Sequence, residues 1–192
     1  LNNEIKTLRT KVESQLKTTG NSYYNGVEGE EELWSKLNMF YPKHKIEDNN
    51  YDHEKEEKRK ITHRGDFVIY EKGFAVMIES KNYSGNIQKS KQEAFYNDMK
   101  NDKNKDIDAG IFISLKTGIV SKEDMQWELI NGKPVMWLHN TCEYYEKIKF
   151  AYSFLKTLVN SRNEIDFTSE EICSTMNDKL SLFKGKINLQ RR

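Results

Sequence analysis

The 192-residue chain has only two cysteines, Cys142 and Cys173, and they form no closely spaced Cys pair of the kind that zinc sites use. That excludes a disulfide framework and a structural zinc site, and makes a reducing, cytoplasmic (intracellular) setting the default expectation. No run approaches the roughly 18 apolar residues of a membrane span, and the opening LNNEIKTLRTK lacks the apolar core of a signal peptide. A soluble protein with no membrane partner is expected. Charge of one sign is missing too: 31 basic and 30 acidic side chains leave +1, so the balance argues neither for nor against nucleic acid. Residues 1–22 carry 4 basic and 2 acidic groups, 23–141 carry 18 and 21, and 142–192 carry 9 and 7, so the flanks are mildly basic and the middle mildly acidic.

What is present suffices for one compact domain with helical appendages: 36% of the residues are apolar. Ile5, Leu8, Val12 and Leu16 fall at helical spacing, and the polar run TTGNSYYNG over 18–26 reads as a break that opens the domain. Leu33, Trp34, Leu37 and Phe40 predict a helix from Glu28, ended by Pro42. A strand is expected near 43–48. The polar stretch 47–64, with its EKEEKRK block, reads as a solvated loop or hairpin tip. DFVIY and FAVMIES around a short Gly-bearing turn predict a hairpin. A helix over 86–101, a buried strand AGIFISL, a helix over 121–130 opened by Ser-Lys-Glu-Asp, and a strand PVMWLHN follow. The tail carries two more apolar stripes, Ile148 to Val159 and, after a capping-box-like Thr168-Ser-Glu-Glu171, Ile172 to Ile187. The resulting class is α/β, divided as 1–22 (amphipathic helix and linker), 23–141 (core) and 142–192 (helical extension).

One constellation carries chemistry. Glu79 and Lys81 stand one residue apart at the end of an apolar strand and share a face, while Ser80 points away; Asp66 opens the partner strand, approximately opposite 78–79. Charges here replace the Val or Ile that a core pattern would prefer, which is costly unless they are paired, solvated or functional. Paired carboxylates suit Mg²⁺, which polarises a phosphate and stabilises charge building on it. The plain structural alternative is a cross-strand Lys–carboxylate cluster on a solvated face, worth under about 1 kcal/mol.

Gly65-Asp66, twelve intervening residues and Glu79-Ser80-Lys81 resemble the site of the PD-(D/E)xK nuclease superfamily, with Gly where Pro is familiar. The resemblance covers roughly residues 26–140. Gly26-Val-Glu-Gly29-Glu30-Glu-Glu-Leu33 is similar to the first-helix motif of Mrr-like and NERD-type members, which makes Glu30 the helix carboxylate, with Glu31 its nearest rival. The resemblance implies a restriction-endonuclease-like core, a mixed central β-sheet flanked by helices, with N- and C-terminal helical extensions. It implies a Mg²⁺ site, open to Mn²⁺, at Asp66, Glu79, the Ser80 carbonyl and Glu30, with Lys81 positioning water. Gln92-Glu-Ala-Phe-Tyr96 resembles the Q-x-x-x-Y signature of RecB-like exonucleases, where it holds the DNA strand; Lys89 and Lys91 on the same helix are candidate phosphate contacts. The expected activity is metal-dependent hydrolysis of DNA by a Mrr-like or Holliday-junction-resolvase-like enzyme, working as a homo-oligomer, expectedly a dimer, through its helical flanks. The alternatives are a catalytically weak or inactive DNA-binding or assembly module on the same fold, and a ribonuclease.

Overall fold

A computed structural model describes residues 21–58, 61–164 and 169–190. Among these residues the structure is α/β, with a mixed six-stranded sheet and four α-helices. The helix expected from Ile5, Leu8, Val12 and Leu16 lies outside the described residues, as does Thr168 of the capping-box-like run.

Helix α1 (Asn21–Phe40) leads into β1 (Lys45–Asp48), then the small hairpin β2 (Tyr51–Asp52) and β3 (Glu57–Lys58). Residues 21–26 of the expected break are helical, so Gly26 and this part of the polar run are carried inside α1, while 18–20 lie outside the described residues. Hairpin β4 (Phe67–Glu71) and β5 (Phe74–Lys81) pairs antiparallel from Phe67↔Ile78 to Glu71↔Phe74, as the Gly-bearing turn between two β-rich runs predicts. Helix α2 (Lys89–Lys100) crosses to β6 (Ala109–Ser114), which runs parallel to β5. The sheet continues through β8 (Lys133–Leu138), parallel to β6, to the edge strand β7 (Gln126–Ile130), giving the order β1-β4-β5-β6-β8-β7. Helices α3 (Glu146–Glu164) and α4 (Ser169–Gln190) follow.

The expected helix over 121–130 is a turn followed by β7. Ser121 and Met125 adopt left-handed φ of 61° and 60°, which breaks a helix before it forms. Asn131 and Gly132, at φ 51° and 77°, close β7 onto β8 as a two-residue hairpin turn, for which Asn-Gly is the preferred pair.

Alternation on the strands builds two apolar layers. Phe67, Ile69, Val76 and Ile78 meet Leu33 and Leu37 of α1 and Ile148, Ala151 and Leu155 of α3, whereas Val68, Met77, Phe112 and Trp137 meet Phe95 and Met99 of α2. The first C-terminal helix is therefore part of the core rather than an appendage. Gly110 permits the α2 layer to close: a Cβ there would lie 2.8 Å from Met99 Sδ and 2.9 Å from Phe95 Cζ.

Glu71, at the end of β4, ties the sheet to α3. Its carboxylate accepts hydrogen bonds from Lys156 Nζ (2.6 Å) and Tyr152 Oη (2.8 Å), with His44 Nε2 at 3.3 Å. The Lys156 and Tyr152 bonds pull its pKa down to about 2. A depressed carboxylate pKa contributes stability above the unfolded-state value that is lost as pH falls toward the folded-state one. Glu71→Gln is accordingly expected to lower Tm near neutral pH by about 2–4 °C, for about 1 kcal/mol at this solvent-screened site. The deficit should shrink between the ordinary carboxylate pKa and about pH 2, as followed by thermal melts across that range.

Candidate functional site

The sheet has a gap at one end. Glu79, Ser80 and Lys81 continue β5 beyond the last pairing with β4, while β6 still pairs with them on the other side. The Lys81 carbonyl accepts from Leu115 N on the β6 side. Backbone groups alternate along a strand, and the N–H and C=O of one residue point to the same neighbour. Ser80 N–H and C=O therefore face the gap where β4 has stopped.

Asp66 fills part of that gap. Its N–H donates to the Ile78 carbonyl and its own carbonyl accepts from Asn49 N, each at 2.8 Å. Its Oδ2 accepts from Ser80 N (2.7 Å) and Ser80 Oγ (2.9 Å). The expected placement, with Asp66 beside Glu79 on one face, is thus replaced by a carboxylate lying in the ladder position itself, bonded to Ser80. Gly65 causes the difference. It sits at φ +65°, and a Cβ there would lie 2.7 Å from the Ile78 carbonyl oxygen. Proline, fixed near φ −65°, does not fit this turn, which explains Gly at the position.

Helix α1 delivers Glu30 to the same gap. Gly29 lets the helix approach: a Cβ would lie 2.7 Å from Asn82 Nδ2 and 2.8 Å from Leu115 Cδ1. The next residue, Glu30, reaches Asn50 Nδ2 at 3.3 Å, and the same amide nitrogen donates to Asp66 Oδ1 at 3.0 Å. Glu79 and Lys81 form a close ion pair. Alternation puts them on the α2 side of β5, where Asp98 of α2 adds its charge to Glu79.

Electrostatics link the two sides. Burial pushes the Glu30 pKa up to about 7, with the Asp66 charge adding to it and Lys81 opposing. Burial pushes Glu79 up to about 7 as well, again with Asp66 as the second cause and Lys81 as the counterweight. Both glutamates are thus raised by burial and by the same neighbouring aspartate.

The family models, curated proteins and solved structures searched give no match.

Among the described residues no three His, Cys, Asp or Glu side chains are spaced to hold an ion by themselves. Mg²⁺ does not require that, since it uses one or two carboxylates and keeps several waters. The Asp66 and Glu30 carboxylates drawn to one amide, and the Ser80 carbonyl facing the gap, fit such a site in donor chemistry. Glu79, held by Lys81, stands beside it.

The other candidates have different surroundings. Lys89 and Lys91 are exposed. Gln92 is 4% exposed and donates to the carbonyls of Val120 (2.8 Å) and Ile87 (3.5 Å), which stitches α2 to the loop before β7. Tyr96 Oη donates to Glu128 Oε1 at 2.5 Å and accepts from Lys122 Nζ at 2.7 Å. Both Gln92 and Tyr96 thus have intramolecular partners.

Sequence reasoning missed Asp48, Asn50 and His53. Asp48 Oδ1 accepts from the backbone of Asn50 (2.9 Å) and Tyr51 (3.0 Å), and His53 Nε2 meets Asp48 Oδ2 at 2.9 Å. The His53 ring stacks on Trp34, one helical turn after Glu30, at 4.1 Å and 4°. The run Asp48-Asn49-Asn50 is turn chemistry that would have marked the spot.

Proposed function

We propose that the chain is a divalent-metal-dependent nuclease of the PD-(D/E)xK kind that hydrolyses DNA phosphodiester bonds at the gap beside β5. The reading rests on one observation: Asp66, Glu30 and the Ser80 backbone address a single gap, and Lys81 and Glu79 stand within its electrostatic reach. In this reading Asp66, Glu30 and the Ser80 carbonyl hold Mg²⁺ or Mn²⁺, and Glu79 joins them or stays with Lys81. The ion supplies Lewis-acid polarisation of the phosphate and neutralises charge that builds on it. Asp66, fixed by two bonds from Ser80, keeps its remaining oxygen toward Asn50 and Glu30. Lys81 orients the attacking water and offsets charge on the phosphate.

The test incubates the whole chain with supercoiled, linear and branched DNA in Mg²⁺ or Mn²⁺ and in EDTA. Strand cleavage in the divalent ions and none in EDTA is expected. No cleavage of any substrate in either ion would overturn the reading. The ion pair between Lys81 and Glu79 favours one rival, an inactive DNA-binding module, because it engages a carboxylate that the resemblance assigns to metal. That rival predicts gel shifts that persist in EDTA, without cleavage.

A further inference from the structure

The amide of Asn50 occupies an unusual position: its Nδ2 donates to two carboxylates from separate elements, Asp66 at 3.0 Å and Glu30 at 3.3 Å. Nδ2 is the amide atom that faces both carboxyl oxygens, as ionised acceptors require. One neutral donor thus does part of what a cation would do there. The support behind Asn50 is firm. Asp48 Oδ1 accepts from the Asn50 backbone N–H, and Asp48 is tied to His53, whose ring stacks on Trp34. The neighbouring Asn49, fully buried, donates to the carbonyls of Arg64 (3.0 Å) and Gly65 (3.2 Å), which joins this turn to the loop carrying Asp66. The Asn50 backbone is therefore fixed relative to both carboxylates, while a half-turn about its terminal torsion exchanges Nδ2 for Oδ1 without moving the chain.

We infer that Asn50 is an amide latch on the metal gap, its nitrogen screening Asp66 from Glu30 when no cation is bound and its oxygen becoming a neutral ligand when one enters. An amide carbonyl is a hard oxygen of the type that Mg²⁺, Mn²⁺ and Ca²⁺ accept. The inference rests on the metal-site reading above and adds to it a ligand that neither the Asp66 nor the Glu79-x-Lys81 motif contains.

The experiment measures Mn²⁺ binding to the full chain by titration calorimetry and by loss of the free-ion electron paramagnetic resonance signal, together with Tm in EDTA and in Mn²⁺. Wild type, Asn50→Asp, Asn50→Leu and Asp66→Asn are compared. Asn50→Leu, which supplies neither donor nor ligand, should weaken Mn²⁺ binding by about 10-fold or more. Asn50→Asp should lower Tm in EDTA, because a third carboxylate replaces the screening amide, yet gain more Tm on Mn²⁺ addition than wild type and bind Mn²⁺ more tightly. A merely structural asparagine would not produce that reversal. Mn²⁺ affinity in Asn50→Leu equal to wild type, with Asp66→Asn abolishing binding, would overturn the latch and leave the site standing. Absence of Mn²⁺ binding by wild type would overturn both.

Discussion

Lys81→Met is expected to lower the rate of divalent-dependent DNA cleavage about 10³-fold while leaving the fold intact, because positioned charge and proton-handling groups are each typically worth factors of this order. The side chain is 19% exposed and paired with Glu79. Burial alone would favour loss of its proton, but the charges of Asp66 and Glu79 outweigh it and hold its pKa above the ordinary lysine value. An ammonium held this firmly is a donor and a counter-charge rather than a base, so its removal strips charge from the phosphate rather than a proton acceptor from water. Methionine keeps most of the stem, which limits packing loss. The comparison is the single-turnover rate at saturating Mg²⁺ for wild type, Lys81→Met and Asp66→Asn, with thermal melts as the control. A wild-type rate in Lys81→Met would remove Lys81 from the mechanism. A wild-type rate in Asp66→Asn would remove the site.

The β4–β5 hairpin was legible because two short runs rich in β-branched and aromatic residues flank a Gly-bearing turn; no tertiary contact is needed to read it. Strand β7 was not, since Met125, Trp127, Leu129 and Ile130 also fit a helical spacing and Ser-Lys-Glu-Asp reads as a helix start. The deciding signal was Asn131-Gly132 two residues before Pro134, which outranks an ambiguous short apolar run. At the site, counting along the strands brought Asp66 to the correct end of β5 but not to its position. A single left-handed residue, Gly65, shifts the carboxylate from a face of the sheet into the ladder. Counting by twos is blind to such a turn. Asn50 escaped notice for another reason: it lies in a polar stretch where composition suggests only solvation, and its role exists only once α1 and β4 arrive on either side.

The other large effect concerns stability, and its origin is a charge with no solvent exposure. Lys147, at the start of α3, is fully buried. Its Nζ donates to Asp124 Oδ2 (2.7 Å) and to the His139 carbonyl (2.6 Å), and Asp124 Oδ1 accepts from His139 N (3.0 Å). One ammonium thus joins the turn before β7, the end of β8 and the first turn of α3. A cation at a helix N-terminus faces the unfavourable end of the dipole, so these contacts must offset both that and its dehydration. Lys147→Ala is expected to cost about 3 kcal/mol, the lower part of the range for breaking a buried pair, because Asp124 is 38% exposed and recovers water. For a chain of this size that is a fall in Tm of about 6–12 °C. Lys147→Met, which keeps the stem volume, should lose less, about 1–3 kcal/mol, for leaving the His139 carbonyl and Asp124 without their donor. Adding Asp124→Asn to Lys147→Met should then cost less than the two single changes taken together, since the charge that the first change stranded is gone. Urea or thermal unfolding of the four proteins measures this coupling, and strict additivity would show that the ion pair contributes nothing beyond the volume of the side chain.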